Sequence, residues 1–183
     1  MRHHIDIDRD QEHPWNLSDC NYWIMGPEGL YCPDYLSSLS VTKTWDGTDY
    51  SRIHIDGNFN LQVSQGETYS LKIQGDERDL DKITVRQLDN LVDVFVSESL
   101  RSTAKIEIQL PSLEMLEADG LKLVDIYGIE GASLELWLDN VKTAKAFVKV
   151  DKLKLRQSRD TNLDLRGEAD ILEARLERSS ELE

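Results

Sequence analysis

LELWLDNVKTAKAFVKVDKLKLRQSRDTNLDLRGEADILEARLE, residues 134–177, decides the fold class of this 183-residue chain. Leucine alternates with a polar residue at Leu134-Glu135-Leu136, and the step returns at Leu153-Lys154-Leu155 and Leu172-Glu173-Ala174. An earlier copy stands at Leu113-Glu114-Met115, so the successive offsets are 21, 19 and 19 residues. A second column interleaves with the first: Val124-Asp125-Ile126, Ala144-Lys145-Ala146 and Leu163-Asp164-Leu165, offset by 20 and 19. Alternation every second residue is the period of a strand, and a fixed spacing laid over it means strands stacked coil upon coil. The pattern predicts an all-β fold with parallel β-solenoid or β-helix-like repeats of about 19–21 residues per coil. That spacing is too short for most helical repeats, and the Asn-centred consensus of leucine-rich repeats is absent.

In such coils the apolar members of each step stack inward and the middle residues form ladders outside. One ladder reads Asp125, Lys145, Asp164, with opposite charges as neighbours; the other reads Glu114, Glu135, Lys154, Glu173, with one like-charge contact. Asp119-Gly120, Asp139-Asn140 and Ser158-Arg159-Asp160 recur where the chain must turn.

Towards the N-terminus the strands become shorter. Ile53 and Ile55 alternate, then Phe59, Leu61 and Val63, then Tyr69, Leu71 and Ile73, separated by Asp56-Gly57-Asn58 and Gln65-Gly66-Glu67. Short strands joined by such turns predict an antiparallel meander. Asp76 is placed to cap one or two helical turns running to Ile83, and further strands follow at Val92-Val94-Val96 and Ile106-Ile108-Leu110. Residues 1–40 differ: they hold both cysteines, three of the four prolines, and Trp15 and Trp23, with weak periodicity. They are expected to form an irregular arm or cap on one end of a body spanning 41–183, because the apolar end of a solenoid needs covering.

The formal net charge of −14, from 35 acidic against 21 basic residues, argues against nucleic acid and against an anionic membrane surface, both of which select clustered Lys and Arg. No run of 18 apolar residues is present, so no transmembrane helix is expected and the chain does not read as an integral membrane protein; no signal peptide stands at its start. Cys20 and Cys32 admit two readings, a disulfide stapling the aromatic stretch around them or two buried thiols.

Signals for chemistry are sparse. Asp6, Asp8 and Asp10 alternate, but Gln11 and Leu17 stand where a calcium loop needs Gly and Glu, so a solvated N-terminus is expected and no metal or cofactor is called for. His3 and His4 read as a tail, and His13 and His54 are isolated; His54, between Ile53 and Ile55, should face out of a strand. Asn16-Leu17-Ser18 is a short glycosylation sequon of little weight here. Glu114 and Glu135, one coil apart at about 4.8 Å, are the pair that a carbohydrate-active β-helix enzyme would need across a cleft. Trp137, Tyr127 and Phe147 fall at intervals of 10; Trp137 alternates with Leu136 and Leu138 and should be exposed, a candidate sugar or protein contact.

The stretch IHIDGNFNLQVSQGETYSLKIQGDERDLDKI, starting at Ile53, goes beyond generic β-structure. Its isoleucine pair, Gly-x-Phe-x-Leu-x-Val, Gln-Gly-x-x-Tyr, and Gly-Asp-Glu with Leu-x-x-Ile, followed later by Leu110-Pro111-Ser112-Leu113 and by Glu130-Gly131-Ala132-Ser133-Leu134, resembles the auto-transporter adhesin head domain (head GIN domain) family over about residues 41–183. The resemblance implies a bacterial protein exported to the envelope or cell surface, a β-solenoid-like body, and no established biochemical activity. Family members usually show many Ser-Gly-Ala-Ser turns, whereas the turns here are more charged. The alternation is still running at the chain's end, so either the acidic tail from Glu177 to Glu183 caps a last coil or the sequence continues. The expected function is a non-enzymatic binding or structural module of adhesive type, meeting a surface glycan or protein, with self-association through an open solenoid end as a further expectation. The alternative from another class is an extracellular carbohydrate-active enzyme.

Overall fold

The computed structural model describes residues 24–26, 29–31, 40–158 and 161–177, and the chain divides into two units, Met1–Ser38 and Leu39–Glu183. In the first, β1 (Ile24–Gly26) and β2 (Gly29–Tyr31) pair antiparallel. The second is built from β3 (Ser40–Trp45), β4 (Arg52–Asp56), β5 (Phe59–Gln65), β6 (Ser70–Asp76), α1 (Glu77–Leu80), β7 (Ile83–Leu88), β8 (Leu91–Val96), β9 (Ala104–Leu110), β10 (Met115–Asp119), β11 (Leu123–Asp139), β12 (Thr143–Ser158) and β13 (Asn162–Glu177). The fold is all-β: these eleven strands form one mixed sheet in the order β3-β6-β9-β5-β11-β10-β4-β8-β7, with β12 and β13 stacked on β11.

Strand β11 serves two columns. Its first half lies beside β5 and its second half beside β10. Both halves then carry β12, and β12 carries β13, all in parallel. The buried residues follow these registers. Val92, Ile53, Leu116, Leu136 and Leu155 stand side by side in one column, and Ile106, Leu61, Val124 and Ala144 in the other. Each fully buried branched side chain contributes about 1.5–3 kcal/mol. A slip of one residue in any strand would turn these side chains outward, so the apolar columns fix the register.

The predicted pairings Leu134 with Leu153, Val124 with Ala144, and both with their β13 counterparts Leu172 and Leu163 are present. One differs. Leu116, not Met115, stands beside Leu136, and Met115 stands beside Glu135, an offset of 20 rather than 21. Leu113, Met115 and Leu116 are all buried, so this segment has apolar residues of both parities and its alternation is ambiguous in sequence. The change in spacing from 20 to 19 has a local cause. Between Ile126 and Ile129 strand β11 spends one more residue than β12 does between Ala146 and Val148. Gly128, at φ 62°, sits in this bulge, where a left-handed backbone absorbs the additional residue.

The antiparallel meander is not formed. β4 pairs in parallel with β8 and β10, and β5 in parallel with β9 and β11; they do not pair with each other. Asp56-Gly57-Asn58 therefore turns the chain from one column to the other, and Gly57 N–H donates to the Asp119 carbonyl of the next turn. The helix is as expected, one turn capped by Asp76, whose carboxylate accepts from Arg78 N–H. Asp79, fully buried, accepts from the backbone N–H groups of Arg101 (2.8 Å) and Ser102 (3.1 Å) and from Lys82 Nζ (3.3 Å). It closes the loop before β9.

Two outcomes follow. Gly167 lies beside Val148, and a Cβ there would stand 1.7 Å from the Val148 carbonyl oxygen. Gly167→Ala should destabilise the protein by at least about 2 kcal/mol in urea denaturation, with faster amide exchange along β13 before β4 and β5. The Arg78 guanidinium holds the Asp76 carboxyl down at about 2, from an ordinary 3.8. The ionised carboxylate is favoured by folding, so its contribution is complete above pH 3.8 and lost as pH falls through 2. Asp76→Asn should remove that increment and flatten the fall in stability between those values, measured as urea midpoint against pH.

Candidate functional site

Seven strand segments lie side by side in the order β7, β8, β4, β10 and the second halves of β11, β12 and β13. Because Ile53, Val92, Leu116 and Leu136 point into the core, the residues between them point out. The registers align these in rows. One row runs Arg86, Asp93, His54, Glu117, Trp137, Arg156, Arg175. The next, towards the turns, runs Thr84, Phe95, Asp56, Asp119, Asp139, Ser158. On the other side Met115, Glu135, Lys154 and Glu173 follow Arg52.

Asp93 organises one end of this face. It is 5% exposed; Arg86 Nε donates to its Oδ2 at 2.6 Å, and His54 Nδ1 lies 2.7 Å from Oδ1. A carboxylate there can only accept, which places the imidazole proton on Nδ1 and fixes the ring plane. The Arg86 guanidinium also lies 5.0 Å from the centre of the Phe95 ring. His54 is thus a part-buried, oriented group rather than a lone surface histidine.

The middle of the face is a shallow depression lined by His54, Asp56, Glu117, Asp119, Trp137, Asp139, Arg156 and Ser158. Asp56, Asp119 and Asp139 occupy one register position on three adjacent strands, about 4.8 Å apart at the backbone. Ser158 Oγ donates to Asp139 Oδ1 at 2.7 Å. The turns after Asp119 and Asp139 repeat each other, with Gly120 at φ 74° and Asn140 at φ 53°, so the carboxylates are presented by equivalent backbone. Trp137 is partly buried, and the Arg156 guanidinium lies 5.8 Å from its ring centre. An aromatic ring bordered by carboxylates, a guanidinium and an imidazole offers an apolar platform with acceptors and donors around it.

The expected Glu114–Glu135 pair is not formed. Glu135 stands beside Met115 and accepts from Lys154 Nζ at 2.6 Å, a bond that raises the Lys154 pKa. In the same ladder Glu173 binds Lys152 Nζ at 2.6 Å, which lowers its own pKa. The ladder is therefore salt-bridged at Glu135, and Glu114 flanks it, its carbonyl accepting from the Glu135 N–H at 2.8 Å. The Asp125, Lys145, Asp164 ladder stands in the predicted register. Tyr127 and Phe147, 48% and 58% exposed, lie at the bulge in the first halves of β11 and β12 and do not join Trp137. Cys20, Cys32, Asp6, Asp8, Asp10, His3, His4, His13 and Asn16 lie outside the described residues. Among the described residues no three His, Cys, Asp or Glu are placed to hold a metal ion, and no helix is long and apolar enough to cross a membrane.

The Arg86–Asp93–His54 group and the aspartate stack were not legible beforehand. Asp119 and Asp139 follow the regular spacing of 20, but Asp56 and the charged group pair outside it: His54 meets Asp93 at a separation of 39 residues. The faint signal was the recurrence of Asp before Gly or Asn at three turns. Removal of the buried anion leaves two donors without their acceptor. Asp93→Ala should therefore lower stability by about 1–3 kcal/mol, whereas Arg86→Ala, with Arg86 half in solvent, should cost less; paired urea titrations measure both.

No curated protein matches the chain significantly. Among solved structures, a "putative adhesin" from Bacteroides fragilis NCTC 9343 is similar at 13% identity and a TM-score of 0.53, covering 78% of this chain and 95% of that one. A "putative adhesin" from Parabacteroides merdae ATCC 43184 aligns at 14% identity and a TM-score of 0.45, over 77% and 96%. A "putative lipid binding protein" from Parabacteroides distasonis ATCC 8503 aligns at 10% identity and a TM-score of 0.41, over 77% and 97%. At 13% identity the first of these likenesses concerns the fold alone. The family model described as "Putative auto-transporter adhesin, head GIN domain" matches residues 49–183, nearly all of the stretch whose motifs resembled it, and the chain belongs to that family.

Proposed function

We propose that this protein is a non-enzymatic binding or structural module displayed at the bacterial envelope or cell surface, with a β-solenoid body over residues 41–183 and an N-terminal arm over residues 1–40. The observation that carries the reading is the outward face around Trp137. It is assembled from two outward rows that cross β4, β10, β11 and β12, the form of a contact surface rather than of an enclosed reaction site. Family membership supports the adhesive reading, since the family is described by that role.

A surface glycan or a protein is the partner such a face suits. The Trp137 ring can cover an apolar sugar or side-chain surface, and Glu117, Asp119 and Asp139 accept hydrogen bonds from hydroxyl or amide donors. The net charge of −14 steers away polyanions. Envelope export would place Cys20 and Cys32 in an oxidising compartment, where a bridge between them is stable. The carbohydrate-active enzyme reading has less support, because Glu135, one of the two carboxylates advanced for it, is bound to Lys154.

The test is where the protein resides. Cells that produce it are fractionated, and intact cells are treated with an added protease. Cleavage on intact cells, with the protein in the envelope fraction, is the expected result. A protease-protected cytoplasmic pool would overturn the proposal, along with the Cys20–Cys32 bridge.

A further inference from the structure

Strand β13 is bonded along one side, to β12, and no other described strand pairs with it. Leu163, Leu165, Leu172 and Ala174 stand beside Ala144, Ala146, Leu153 and Leu155, all buried, so both core columns run out into this strand. Yet Leu172 and Leu176 are 57% and 69% exposed. A 16-residue edge of this kind is a template for another strand.

We propose that this edge pairs with β13 of a second copy, antiparallel, in a two-fold dimer. One register is self-complementary. It sets Asp164 opposite Arg175, Arg166 opposite Glu173, Leu163 opposite Leu176 and Leu165 opposite Ala174. The faces agree as well as the charges. In the first half of β13 the core-facing residues are Leu163 and Leu165, and in the second half they are Leu172, Ala174 and Leu176, because the alternation changes parity at the bend. The antiparallel pair therefore matches inward with inward and outward with outward along both arms, residues 163–168 against 171–176, and only Ala169 and Asp170 at the bend meet across faces. Being isologous, the contact makes every pair twice.

Other registers fail on the same residues. A slip of two residues one way opposes Asp164 to Glu173. A slip of two the other way opposes Arg166 to Arg175 and Glu168 to Glu173. A slip of one sets Leu163 or Leu165 against Arg175. Existing bonds within the copy, Arg166 to Asp164 at 2.8 Å and Lys152 to Glu173 at 2.6 Å, lie on the outward face and extend into a network across the seam. This contact does not depend on what the Trp137 face binds.

The test is sedimentation equilibrium of the full chain over a concentration series at low salt. The expected mass rises from 21.0 kDa toward twice that value. Arg166→Glu and Glu173→Arg alone each oppose like charges twice and should weaken the dimer at least tenfold. An equimolar mixture of the two variants restores both pairs and should dimerise as the unaltered chain does. Arg175→Glu with Asp164→Arg, which oppose like charges singly and complement each other in a mixture, replaces that pair of variants should the far-UV circular dichroism of either lose the β signal. A monomer at all concentrations, a dimer indifferent to these charges, or a mixture no tighter than its parts would overturn the proposal. A monomer whose β13 amides exchange slowly would do so too, by placing another segment of the same chain on the edge.

Discussion

The structure depends on one constraint, the lateral register of its parallel strands. Each strand shows two faces, and only one of them can join the core without leaving charges buried or leucines in water. Once Ile53, Leu116, Leu136 and Leu155 stand side by side, the position of every residue between them is set. The packing that buries the leucines is thus the same event that aligns His54, Glu117, Trp137 and Arg156 on the outside. Core and outward face are two readings of one register.

This explains what could be read from sequence and what could not. From Val124 to Ala174 the spacing is nearly constant, each strand stacks on the one about 20 residues before it, and the pairings follow from counting. Before Ser112 the chain leaves that regime. β4 and β8 meet after an excursion through β5, β6, α1 and β7, so His54 and Asp93 share no local pattern. The same excursion supplies β6 and β7, which pair antiparallel, β6 with β3 and β9 and β7 with β8. The Asp56-Gly57-Asn58 turn looked like a hairpin because the same residue types serve both a hairpin and a turn between columns. Met115 shows the smaller kind of ambiguity. Where a segment buries residues of both parities, alternation cannot choose the register, and the neighbouring strand does.

The charged residues divide into two kinds. Some complete the fold: Asp79 accepts from a loop's backbone, and Asp76 caps a helix and holds Arg78. Others lie on the outward rows, where Lys154 and Glu135, or Lys152 and Glu173, bridge neighbouring strands in water and add little net stability each. Of the described acidic residues, Asp56, Glu117, Asp119 and Asp139 are set apart by place. They line one depression together with Trp137. Charge elsewhere maintains an exposed surface; here it borders a platform.

The measurement that bears most directly on this account is binding of labelled protein to immobilised panels of neutral glycans and matrix proteins, with Trp137→Ala tested in parallel. Trp137 projects away from the core, so the substitution should leave the circular dichroism spectrum unchanged. The account predicts a bound partner for the unaltered chain and loss of that binding, by at least tenfold, in Trp137→Ala. Binding that persists undiminished in Trp137→Ala would contradict the assignment of this face as the contact surface.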